Sequence, residues 1–129
     1  MRLFTFLLII TGCSDSENNP KEFNNPPTIQ IQSHSDGAVF DEGYSTQIYA
    51  QVSDLNHDIE ELSVSWYVEE ELVCDWSSPE PSGVSRCDIV LFPDNTRVSV
   101  QVNDPSGEAA RDEISIVVEP TETPVIEWL

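Results

Sequence analysis

Positive charge is scarce in this chain: 5 Lys and Arg stand against 24 Asp and Glu, a formal net charge of -19 over 129 residues. A phosphate backbone is gripped by clustered Lys and Arg, so a general nucleic-acid binder is excluded. Alanine and leucine are also few. Four Ala and 8 Leu face 10 Ile and 13 Val, proportions that suit strands and argue against a helical bundle. No apolar run approaches the roughly 20 residues that a membrane-crossing helix needs. There is no H-E-x-x-H, no G-x-S-x-G and no glycine-rich phosphate loop, and the two histidines, His34 and His57, lie in polar, turn-like segments. No enzyme is expected, because close acid pairs arise in so acidic a chain without any catalytic purpose. What is present suffices for one core. Leu, Ile, Val and Phe make up about 28% of the chain, above the roughly 20% below which chains tend to disorder.

The first residues read as an address. Arg2 supplies one positive charge, and seven of the eight residues from Leu3 to Ile10 are apolar, which fits the h-region of a secretory signal peptide. Ile10-Thr11-Gly12-Cys13 then resembles the lipobox of bacterial lipoproteins. That resemblance implies cleavage before Cys13, acylation of Cys13 and anchoring in the cell envelope. It also places Ser14 where an Asp retains enteric lipoproteins at the inner membrane, so the outer membrane is favoured. One acyl chain holds a protein only marginally, but at about 0.8 kcal/mol per buried CH2 two or three anchor it stably. Loss of residues 1–12 removes Arg2 and no acid, taking the charge from -19 to -20. Anionic head groups repel such a domain, so the acyl chains would do the membrane work.

Residues 13–27 form the lipidated cysteine and a tether rich in Ser, Asn, Pro and acids. From Thr28 a period of two sets in. Ile29 and Ile31, Ile48, Ala50 and Val52, Val64, Trp66 and Val68, Val98, Val100 and Val102, and Ile114, Ile116 and Val118 each alternate with mostly polar neighbours. Turn clusters separate them about every ten residues, so 28–119 is expected to be an all-β antiparallel sandwich of about seven to eight strands. Glu69-Glu70-Glu71 is expected in a turn or edge as solvated charge. Residues 120–129 read as a linker, followed either by the start of a second module or by a packed tail. Thr123-Pro124-Val125-Ile126 echoes the opening Pro27-Thr28-Ile29.

Trp66 in mid-strand resembles the core tryptophan of immunoglobulin-like domains. The segment Val98 to Gly107, with Asn25 to Ile29 and Asp36-Gly37, resembles PKD and related bacterial Ig-like domains. The intersheet cysteine pair of antibody domains and the W-x-F-G-D-G motif are both absent. Cys74 and Cys87 are the cysteines left after Cys13, and an even pair in an exported chain reads as a disulfide closing a loop that carries an exposed Trp76. Trp76 is a candidate protein or glycan contact, or else folds back over the sheet edge.

No cofactor is firmly expected, and calcium is the candidate the sequence offers. Asp54, Asn56 and Asp58 offer oxygens at alternate positions, though Ile59 and Ser65 stand where an EF-hand needs Gly and Glu. In an Ig-like sandwich this loop shares one end with Asp104 and with the approach through Asn24 and Asn25, so the oxygens could converge there, as in cadherin-like relatives. The bland alternative is that these residues only make turns. The functional expectation is a non-catalytic, lipid-anchored envelope module that binds protein or glycan or acts as a spacer. The alternatives are a calcium-dependent adhesion module and a periplasmic enzyme inhibitor.

Overall fold

The computed structural model describes residues 24–121. The expected anchor at Cys13, most of the expected tether and the echo at 123–129 lie outside the described residues. Eight strands follow in order: β1 (Thr28–Ile31), β2 (Ala38–Asp41), β3 (Ser45–Ser53), β4 (Ser63–Val68), β5 (Glu71–Ser77), β6 (Val84–Val90), β7 (Arg97–Asn103) and β8 (Ala109–Glu119), with one 3-10 turn at Ile59–Glu61. They form two sheets, β1-β3-β6 and β2-β8-β7-β4-β5. The two sheets pack as a β-sandwich, in keeping with the alternating pattern.

The core holds the residues of the expected parity. Ile48, Val52, Leu62, Val64, Trp66 and Val100 are all buried between the sheets. The Trp66 indole N–H donates to Ser85 Oγ at 3.0 Å, joining β4 of one sheet to β6 of the other and satisfying a buried donor. Two polar residues expected on the solvent face are also buried: Ser65 and Ser99, both fully shielded. Ser65 Oγ donates to Tyr67 Oη at 2.9 Å, and Arg111 Nη2 donates to Ser99 Oγ at 2.8 Å while its guanidinium lies 5.3 Å from the Tyr67 ring centre. Central strands of a five-stranded sheet are covered even on the outer face by long neighbouring side chains.

The chain leaves β1 in one sheet and enters β2 in the other, where β2 runs parallel to β8 with Ala38 opposite Ile116 and Asp41 opposite Glu119. Gly83 marks a close approach before β6. Its φ is +89°, and a Cβ there would come within 2.7 Å of the Val52 carbonyl, whose residue's own N–H donates to Gly83 O at 2.8 Å. Only glycine fits that position.

Glu69 occupies the tight turn between β4 and β5 with φ of 60°, a conformation in which glycine is the usual resident. It is not merely solvated charge, as the acidic run suggested. Its carboxylate accepts Thr96 N–H at 2.6 Å and Arg97 N–H at 3.0 Å, fastening the hairpin to the segment before β7. The Thr96 backbone bond is the largest influence on the carboxyl. Although desolvation opposes it, the Arg97 backbone bond and charge add to it, and the pKa is held below its ordinary 4.5. A folded pKa below the unfolded one means stability that is complete above about pH 4.5 and lost as pH falls through the folded value. Glu69→Gln should therefore melt lower than wild type at pH 7, and the gap should narrow as the pH is lowered below 4.5. A gap independent of pH in paired melting curves would contradict the role of the charge.

Candidate functional site

At one end of the sandwich the β3–β4 connection, the β7–β8 turn and the chain approaching β1 meet. Each loop is organised by its own aspartate. Asp54 Oδ1 accepts the Asn56 N–H at 2.8 Å, a side-chain turn of the kind Asp favours. Asp104 Oδ1 accepts from Ser106 N–H at 2.8 Å and Glu108 N–H at 2.9 Å, which shapes the tight turn between β7 and β8. The approach to β1 is tied to both. Asn24 Nδ2 donates to Asp104 Oδ2 at 3.1 Å, and Asn25 N–H donates to Asn56 Oδ1 at 2.6 Å.

Between the two carboxylates lies His57. Its Nδ1 is 3.4 Å from Asp54 Oδ2 and 3.7 Å from Asp104 Oδ2, with both aspartate side chains fully shielded from solvent and His57 17% exposed. The other ring nitrogen, Nε2, is 3.4 Å from Ser106 Oγ. Donor atoms of Asp54, His57 and Asp104 all lie within 4.8 Å of one another. Burial pushes the Asp104 carboxyl up. The hydrogen bonds from Asn24, Glu108 and Ser106, together with the charge of His57, outweigh it and hold the carboxyl below its ordinary range.

Of the four residues expected to hold calcium, Asp54 and Asp104 are brought together, while Asn56 bonds Asp54 through its backbone N–H and turns its Oδ1 to the Asn25 N–H. Asp58 is not part of this group. It is exposed and heads the 3-10 turn: its N–H donates to Glu61 Oε1 at 3.2 Å, and its carbonyl accepts Glu61 N–H at 2.9 Å. Helix-start chemistry uses the Asp58-x-x-Glu61 spacing, which is a capping signature. The residue that sequence reasoning missed is His57. A histidine in a polar turn carries no pattern of its own, and its position between the loops becomes visible only when the two aspartates are folded together.

The disulfide is formed. Cys74 in β5 and Cys87 in β6 are bonded at 2.06 Å with a Cα–Cα distance of 6.1 Å. β5 and β6 are edge strands of opposite sheets, so a bridge between sheets does exist, at the margin of the sandwich. Within the five-stranded sheet Cys74 lies opposite Trp66. Trp76 belongs to β5 and not to a loop. It is 41% exposed on that edge, beside exposed Leu72 and Val73.

No protein-family model matches the chain, and no curated protein matches it. Solved structures do. The fibronectin(III)-like modules of Clostridium thermocellum CbhA are similar with a TM-score of 0.61 at 19% identity, covering 74% of this chain and 100% of that one. An I-band fragment of titin gives 0.56 at 15% identity, over 75% of this chain and 34% of the fragment. The N-terminal Ig module pair of the Drosophila receptor protein tyrosine phosphatase DLAR gives 0.52 at 17% identity, over 78% of this chain and 53% of that one. At these identities the likeness is one of fold: an Ig or fibronectin III-like sandwich.

Proposed function

We propose that this chain is a lipid-anchored, non-catalytic module of the bacterial cell envelope, in which the sandwich serves as a protein- or glycan-binding or spacer element. The observation that carries the reading is the order of parts: a signal-like run ending in Ile10-Thr11-Gly12-Cys13, then a polar tether, then a sandwich beginning at Thr28. The Ig or fibronectin III-like fold supports it, since such domains offer surfaces and length without needing a reaction centre. The PKD-like character of Val98 to Gly107 belongs to the same proposal. Trp76, half exposed on an edge strand stapled at Cys74, is the contact we assign to a protein or glycan partner, because a rigid aromatic loses little freedom on binding.

The anchor is tested by metabolic labelling with a palmitate analogue in a bacterial host. Wild type should carry the label and partition with membranes, whereas Cys13→Ala should be unlabelled. Equal labelling of the two would remove the premise of the reading.

A further inference from the structure

We propose that Asp54, His57 and Asp104 bind one transition-series divalent cation of the Zn2+ type, in preference to Ca2+ or Mg2+. The first ground is charge. Two carboxylates fully shielded from solvent face each other across His57, and neither has a Lys or Arg partner among the described residues. Buried charges are stable only when paired. The two carboxylates bring two negative charges to the trio, which one divalent ion would match.

The second ground is the donor set. Ca2+ takes six to eight oxygens, and the fourth expected oxygen donor, Asp58, is placed at the 3-10 turn instead. An imidazole nitrogen with two carboxylate oxygens is the ligand mixture of zinc-like ions, which accept three protein donors and leave a fourth position for water.

Spacing agrees. A tetrahedral ion with ligands at about 2.0–2.1 Å holds neighbouring donors about 3.3–3.4 Å apart; the His57 Nδ1 separations are 3.4 and 3.7 Å, and all three donors lie within 4.8 Å of one another. Ser106 Oγ at Nε2 supplies the outer partner that orients a ligating imidazole. The carboxylates are held in place as well, because Asp54 Oδ1 and Asp104 Oδ1 are each fixed by backbone N–H groups and Asp104 Oδ2 accepts from Asn24 Nδ2.

The site also has a consequence for the tether. Asn24 bonds Asp104 and Asn25 bonds Asn56, so an ion that fixes these loops fixes the point where the tether joins the sandwich. The inference is independent of lipid anchoring.

The test uses the full-length chain carrying Cys13→Ser, so that no free thiol competes for the ion. Titration with Zn2+ by calorimetry should give one ion per chain, and Zn2+ should raise Tm where equal Ca2+ or Mg2+ does not. Co2+ in its place should give the visible absorption of a low-coordinate nitrogen–oxygen site. His57→Ala and Asp54→Asn should each weaken Zn2+ by at least about tenfold, the least that loss of even an outer partner costs. His34→Ala should leave it unchanged. Asp54→Asn retains the acceptor for the Asn56 N–H and decides the matter if His57→Ala does not fold. Absence of binding, an equal response to Ca2+, or Zn2+ affinity that survives both site substitutions would each overturn the proposal. The last of these would leave only diffuse attraction to an acidic surface.

Discussion

Replacing Trp66 with alanine should cost about 3–5 kcal/mol, the range for removing a large aromatic from a packed core. Trp66 is 1% exposed and spans the space between the sheets at the centre of β4. Its indole N–H also bonds Ser85 across that space, so size and polarity can be separated. Trp66→Phe keeps most of the ring but leaves the shielded Ser85 hydroxyl without its donor, a penalty of about 1–3 kcal/mol. Adding Ser85→Ala should recover part of that loss, because an absent polar group needs no partner. Urea unfolding with an unchanged m-value is the measurement. A Trp66→Ala loss below about 1 kcal/mol, far under the cost of emptying a well-packed site of an aromatic side chain, would mean that the sheets do not close around this residue.

Breaking the Cys74–Cys87 bond is expected to have the next largest effect. The cysteines are 13 positions apart, and closing a loop of about that size in the unfolded chain is worth about 3 kcal/mol in the chain-entropy account. For a domain of this size each kcal/mol moves Tm by about 4–8 °C, so the fall should exceed about 10 °C. Reductant should bring wild type down to the Tm of the Cys74→Ala/Cys87→Ala variant and leave that variant unmoved. A wild-type Tm indifferent to reductant would show that the bond contributes nothing to the folded domain.

The period-two pattern made β3, β4, β7 and β8 legible in the sequence, because each puts one row of Ile, Val or Trp against the facing sheet. β5 was not legible as a strand. Its residues from Glu71 to Ser77 are exposed apart from Cys74, and an edge strand with nothing packed on its faces has no alternation to display. Trp76 therefore looked like a loop residue. The parting of β1 and β2 between sheets was equally hidden, since Ile31 and Phe40 bury in the same core from either side. In the candidate site, the meeting of Asp54 with Asp104 followed from knowing which loops share an end of such a sandwich. The turn duty of Asp58 and the central place of His57 depend on side-chain directions that spacing alone does not carry.

The parallel pairing of β2 with β8 bears on how the sandwich would carry a mechanical load. Tension between the chain before Asn24 and the chain after Thr121 loads β1 first and, once β1 has parted from β3, draws β2 toward its start and β8 toward its end. Because the two strands point the same way, these pulls oppose each other along the strand axis. The ladder from Ala38–Ile116 to Asp41–Glu119, extended by Gly37 N–H to Ser115 O and Glu42 N–H to Glu119 O, is then sheared as a set and not unzipped bond by bond. A pull through the two ends therefore has to break these bonds together once it reaches β2.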